Sequence, residues 1–121
     1  MTTATRATIT EKQLDAAVTE LAATLGWHRY HSLISIGSPH GFPDLVLIRP
    51  PRVVFAELKS EKGRLRPHQV LWLDLLGRCP GVEVYLWRPE HLEAIARTLA
   101  PRYRDGPPPV TPSDEDGARR S

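Results

Sequence analysis

The stretch GFPDLVLIRPPRVVFAELK, residues 41–59, decides how this chain folds. Two apolar runs, Leu45–Ile48 and Val53–Leu58, flank Arg49-Pro-Pro-Arg52, a segment built to reverse the chain tightly. Both runs are short, partly β-branched and apolar at consecutive positions. That pattern predicts strands covered on both faces, as in a sheet with helices packed against it. Paired as a hairpin, the start of the first strand lies beside the end of the second, which brings Asp44 close to Glu57. Side chains alternate along a strand, so Glu57 and Lys59 share one face and Leu58 points to the other.

Upstream, Thr10 followed by Gln13 has the form of a capping box. The helix it opens carries Leu14, Val18, Leu21, Ala22 and Leu25 at helical spacing and stops at Gly26. Trp27 to Ile36 is strand-like, and Gly37-Ser-Pro-His-Gly41 is a loop of chain breakers. Downstream, Glu61-Lys-Gly-Arg64 reads as a turn. Pro67 then opens a second helix at a first-turn position, with Val70, Leu71, Leu73, Leu75 and Leu76 before an end near Gly77. Val82 to Trp87 alternates as a strand, and Pro89 starts a third helix with Leu92, Ile95, Ala96 and Leu99 inward. The order predicts an α/β domain with a mixed sheet of about four strands flanked by helices. The first three strands form a meander, and the helical crossover makes the fourth parallel to the third. Residues 1–9 read as a flexible N-terminus, 10–100 as the domain, and 101–121, with no apolar period, as a disordered Pro/Gly/charged tail.

The 121 residues suffice for one domain with a modest core. A 40% hydrophobic and 25% charged composition is ordinary for a soluble globular protein. No apolar run approaches the roughly 20 residues of a membrane span, and residues 1–10 lack the apolar core of a secretory signal. The expectation is a cytoplasmic protein with no membrane partner. The single cysteine, Cys79, excludes a disulfide framework and a multi-cysteine zinc site. A formal charge of +2 leans only mildly toward an anionic partner. The distribution is more telling: Arg49, Arg52, Lys59, Lys62, Arg64 and Arg66 crowd around the acidic positions, as either a solvated face or a phosphate-binding rim.

Two carboxylates and one ammonium at the edge of an apolar sheet carry a chemical implication. Adjacent carboxylates repel unless a cation bridges them. Hard oxygen ligands and an incomplete shell suit Mg²⁺ or Mn²⁺, leaving room for water and a substrate phosphate. Lys59 could hold or deprotonate the attacking water and neutralise charge in the transition state. The reaction class is metal-assisted hydrolysis of a phosphodiester. The plain alternative is an exposed Glu-x-Lys ion pair beside a Pro-Asp loop opening.

Gly41-Phe-Pro-Asp44, Val54-Phe-Ala-Glu57-Leu-Lys59, Gly63 and Gln69 resemble the VRR-NUC family of the PD-(D/E)xK nuclease superfamily, over about Thr10 to Leu99. The resemblance implies a restriction-endonuclease-like core, metal binding by Asp44 and Glu57, catalysis by Lys59, and Gln69 facing the site. It further implies an Mg²⁺-dependent endonuclease, with Mn²⁺ as substitute, acting on DNA, with Holliday junctions or flaps as candidate substrates. Stand-alone relatives are typical of phages and bacteria, and some act as homodimers. The family usually adds an acid from the first helix, for which Glu11, Asp15 and Glu20 are candidates. Glu11 precedes Leu14 and Val18 by three and seven positions and continues the inward stripe, whereas Glu20 faces away. Glu11 is therefore the choice as the third metal-binding acid of the catalytic set, although an acid there also suits the helix dipole. Lys62, Arg64, Arg66 and His40 are candidate phosphate contacts. His31, Trp27, Trp72, Trp87 and Cys79 read as packing or surface residues. A second reading, a non-catalytic nucleic-acid- or protein-binding module on the same fold, gives no reason for two adjacent carboxylates facing an anionic polymer.

Overall fold

The computed structural model describes residues 9–31, 41–102 and 105–106, and of His31 the backbone only. Helix α1 (Glu11–Thr24) begins with the expected reciprocal cap: Thr10 Oγ1 accepts from the Gln13 N–H at 3.0 Å, and Gln13 Oε1 accepts from the Thr10 N–H at 2.8 Å. Gly26, at φ 88°, turns the chain out of the helix. Strands β1 (His28–His31), β2 (Leu45–Arg49) and β3 (Arg52–Leu58) follow as an antiparallel meander. Helix α2 (Pro67–Gly77) crosses over to β4 (Glu83–Trp87), which pairs parallel to β3. The sheet order is β1-β2-β3-β4. The third helix starts differently from expectation: Pro89–His91 form a 3₁₀ turn, and α3 runs Leu92–Leu99.

One sheet face holds the core. Leu14, Val18 and Ala22 of α1 and Ile95 and Leu99 of α3 meet Leu45, Leu47, Val54, Ala56, Leu58 and Trp87. Each fully buried leucine contributes roughly 2 kcal/mol through area removed from water. The other face is covered only in part, contrary to the expectation of strands buried on both sides. There Phe42 packs edge-on against Phe55 and Trp72, at ring separations of 6.0 and 5.2 Å, while Tyr30 and Ile48 remain exposed. The reason is topological. A crossover helix lies over the strands it joins, here β3 and β4, and no described helix lies over this face of β1 and β2. Three of the apolar residues of α2, Val70, Leu71 and Leu75, also face outward.

The hairpin tip departs furthest from the sequence reading. Arg49 and Arg52 belong to neither a solvated face nor a phosphate rim: they are 2% and 6% exposed. Arg49 donates to Leu25 O at 3.2 Å and Gly106 O at 3.1 Å. Arg52 forms a two-point pair with Glu83 at 2.7 and 2.8 Å, donates to Thr98 O and lies over the Trp27 ring. The hydrogen bond from Arg52 holds the Glu83 carboxyl below its ordinary range. Asp105 lies 3.9 Å from Arg49 and 3.8 Å from Arg52. The reading that places a tail from 101 onward therefore differs from the structure at Asp105 and Gly106, which are tied to the hairpin tip; residues 107–121 lie outside the described residues.

Without Asp105, buried Arg49 keeps only the backbone carbonyls of Leu25 and Gly106, while Arg52 keeps Glu83. Asp105→Ala is expected to lower the unfolding free energy by about 3 kcal/mol in urea melts; a loss under about 0.5 kcal/mol would show that Asp105 is not part of the folded unit.

Candidate active site

The site stands at the end of the hairpin opposite the arginines. Leu45 pairs with Ala56 in the β2–β3 ladder, so one further step of the same register sets Asp44 opposite Glu57. Asp44 Oδ2 accepts from the Leu58 N–H at 3.0 Å, which locks the start of β2 onto the end of β3. The approach to Asp44 is equally constrained. Gly41 adopts φ +86°, and a Cβ there would lie 2.5 Å from the His68 carbonyl group, so only glycine lets this loop press on the first turn of α2. Phe42 and buried Pro43 then anchor the backbone immediately before Asp44.

Glu57 is 2% exposed, rare for a carboxylate. Its Oε2 accepts from Gln69 Nε2 at 2.8 Å. Gln69 Oε1 simultaneously accepts from the Arg66 N–H at 2.8 Å. That second bond fixes the amide orientation, because only the oxygen can accept from an N–H. Gln69 thus caps α2 and holds Glu57 in one rotamer. Glu57 Oε1 is buried and has no hydrogen-bond donor. Burial first, then the nearby charge of Asp44, push the Glu57 carboxyl up to about 8, against the pull of Lys59.

Glu11 enters from the N-terminus of α1. It lines a cavity of about 360 Å³ with Lys12, Asp15, Asp44 and Leu58. Its carboxyl is raised by partial desolvation and then by Asp44, with Lys59 opposing. Glu11, Asp44, Glu57 and Lys59 therefore share one electrostatic field. Asp15, the candidate set aside, lies at the same cavity but is paired with Arg29 at 3.2 Å. Among the described residues no group of three His, Cys, Asp or Glu side chains is gathered tightly enough to hold a metal ion. The structure brings Asp44 and Glu57 together and leaves Glu11 across the cavity.

A divalent cation fits this pair. Two carboxylates face each other, and one oxygen of the buried member meets no donor, an arrangement that a shared proton or a cation relieves. Lys62, Arg64 and Arg66 are exposed on the segment between Lys59 and α2. His40 lies outside the described residues, as does the side chain of His31. Trp27 and Trp87 are core residues and Trp72 packs on Phe42. Cys79 is exposed, its Sγ 3.5 Å from Leu75 O at the end of α2.

Sequence reading passed over Arg88. Leu58 pairs with Trp87 in the parallel ladder, so the residue after β4 falls beside Lys59. That placement is legible from the parallel pairing once the register is known.

A mixed four-stranded sheet flanked by three helices, with an acidic pair and a lysine at the end of its central hairpin, defines a restriction-endonuclease-like α/β domain. The VRR-NUC domain matches residues 8–91, more than half of the chain, and the chain belongs to that family. It is accordingly a nuclease-type domain. No curated protein matches it.

The Glu57 carboxyl has a pH consequence. A group whose folded pKa is raised stabilises the fold fully below its ordinary value near 4.5, and that stabilisation is lost as pH rises toward about 8. In EDTA, the melting temperature of the wild-type protein should fall across this window relative to Glu57→Gln, whose amide cannot ionise. Parallel melting curves for the two proteins from pH 5 to 8.5 would contradict the assignment.

Proposed function

We propose that the protein is a metal-dependent endonuclease that hydrolyses DNA phosphodiester bonds, with Asp44 and Glu57 as the residues that hold Mg²⁺ or Mn²⁺. The observation that carries this reading is Glu57 itself: a carboxyl 2% exposed, opposite a second carboxylate, with one oxygen lacking a donor. Such a group is costly to bury and makes sense as an ion ligand. When bound, the cation supplies positive charge to a phosphate oxygen and makes a nearby water more acidic.

The rest falls to side chains of this chain. Asp44 is held to the Leu58 N–H and so presents its other oxygen in a fixed direction. Gln69 keeps Glu57 oriented and is a positioning residue. Lys59, on the same face as Glu57, orients the attacking water and neutralises charge growing on the phosphate. Glu11, across the cavity, completes the acidic field at the mouth of the site. Lys62, Arg64 and Arg66 attract the DNA backbone, and His40, four positions before Asp44 in the sequence, is a further candidate for phosphate binding. Two such centres in a homodimer would suit a four-way junction or a flap, and the outward Val70, Leu71 and Leu75 of α2 support self-association.

The test is a labelled panel of single-stranded, duplex, flap and four-way-junction DNA, incubated with Mg²⁺, Mn²⁺ or EDTA. Cleavage is expected only with metal, and Asp44→Ala and Lys59→Ala should each reduce it by about a hundredfold or more. Binding of these DNAs without cleavage in any metal would instead identify a binding module. Cleavage that survives both substitutions would place the chemistry elsewhere.

A second expectation concerns Gln69. Gln69→Leu should lower kcat by about tenfold with little change in KM, because Glu57 loses its orienting donor while the phosphate contacts stay. Unchanged kcat would remove Gln69 from the positioning role.

A further inference from the structure

Arg88 follows β4 directly and sends its guanidinium back across the sheet end to the turn that follows Lys59. Its Nη1 donates to Gly63 O at 2.7 Å and Ser60 O at 2.9 Å, with Glu61 O at 3.4 Å. One Nη carries two N–H groups, so the two short bonds use both and the longer contact shares one. Three backbone carbonyls of a four-residue turn therefore converge on a single side-chain nitrogen. Backbone carbonyls drawn together in this way repel one another unless a cation sits among them.

The same end of β4 also holds Lys59 itself. The Lys59 N–H donates to Trp87 O at 3.0 Å, extending the parallel ladder by one bond. Beyond that bond the chain leaves the sheet, and the Gly63 N–H closes the turn onto Ser60 O at 3.2 Å. The turn comes back against the lysine stem: a Cβ on Gly63 would lie 3.4 Å from Lys59 Cδ and 3.0 Å from Ser60 Oγ. The aliphatic part of Lys59 thus has a wall on one side, and that wall is held by Arg88. The attraction of the ammonium to Glu57 and Glu11 acts on the tip of the side chain. It does not fix a four-carbon stem with free torsions.

We propose that Arg88 is a positioning residue for Lys59, acting by gathering the Ser60–Gly63 carbonyls into the turn that walls the lysine stem. The inference concerns the same site as the nuclease reading and rests on it for its kinetic consequence. Arg88 acts through the turn, because both N–H groups of its Nη1 are taken by backbone carbonyls of Ser60–Gly63. Loss of the guanidinium lets the turn relax, so the ammonium is in place for a smaller share of the time. A misplacement of about 1 Å at a reacting group can cost a hundredfold in rate.

The experiment compares wild type, Arg88→Met and Arg88→Lys by two readouts. The first is steady-state kinetics on the DNA of the panel that is cut fastest. Arg88→Met is expected to lower kcat by about tenfold or more with KM within about threefold. Arg88→Lys, which returns a cation to the carbonyls with a shorter reach, should recover part of it. The second readout needs no activity: the ε-¹³C signal of Lys59 in lysine-labelled protein, assigned with Lys59→Arg, is expected to move in Arg88→Met toward the position of exposed lysines. An unmoved Lys59 signal, a wild-type kcat, or a rise in KM alone would overturn the proposal. A rise in KM alone would assign Arg88 to DNA binding, directly or through Lys62 on the same turn. If wild-type protein cuts no DNA, the nuclease reading fails and the Lys59 signal still decides the positioning claim. Should Arg88→Met not fold, Gly63→Ala moves the wall by its methyl group and is expected to shift the same signal.

Discussion

The apposition of Asp44 and Glu57 is the constraint on which the rest of this structure depends. It follows from the register of one hairpin, in which each residue of β2 faces a fixed residue of β3. A slip of one residue would turn Glu57 and Lys59 to the core face and expose Val54, Ala56 and Leu58. The register is held at both ends. At the tip, Arg49 and Arg52 are buried and bonded to the ends of α1 and α3 and to Gly106. At the open end, the Asp44 carboxylate takes the Leu58 N–H. Between them the core side chains Leu45, Leu47, Val54 and Ala56 fill one face of the sheet.

This arrangement sets a buried acidic pair against a well-packed scaffold. Burial of Glu57 works against folding whenever the group is ionised, and the core and the arginine cluster offset that cost elsewhere in the domain. The two charged sites are thus complementary in kind. The arginine cluster holds its charges in matched pairs with Glu83 and Asp105 and serves the fold. The carboxylate pair is mismatched by design of the register and is suited to a cation. Helix α2 links the scaffold to the chemistry, since the amide of Gln69 both caps the helix and grips Glu57.

Most of the architecture is legible in the sequence because its signals are local. The Thr10–Gln13 cap, Gly26, and Pro67 at the start of α2 each mark an element boundary within a few residues. Adjacent apolar runs around a Pro-Pro turn predict the hairpin, and from it the proximity of Asp44 and Glu57. What escapes such reading depends on partners distant along the chain. Arg49 and Arg52 look like surface charge because Glu83, Thr98 and Asp105, which bury them, lie far away in sequence. The partly open second face was equally hidden, since a run of consecutive apolar residues in β2 does not say how far α2 reaches. The grip of Arg88 on the Ser60–Gly63 turn follows from the parallel pairing of β3 and β4, and no motif announces it.

The most direct measurement is anomalous diffraction from a crystal of the full chain soaked in Mn²⁺. The account predicts a peak between the Asp44 and Glu57 carboxylates, within bonding distance of one oxygen from each, with the Gln69 bond to Glu57 retained. A peak away from this pair would contradict it, as would none at a saturating Mn²⁺ concentration.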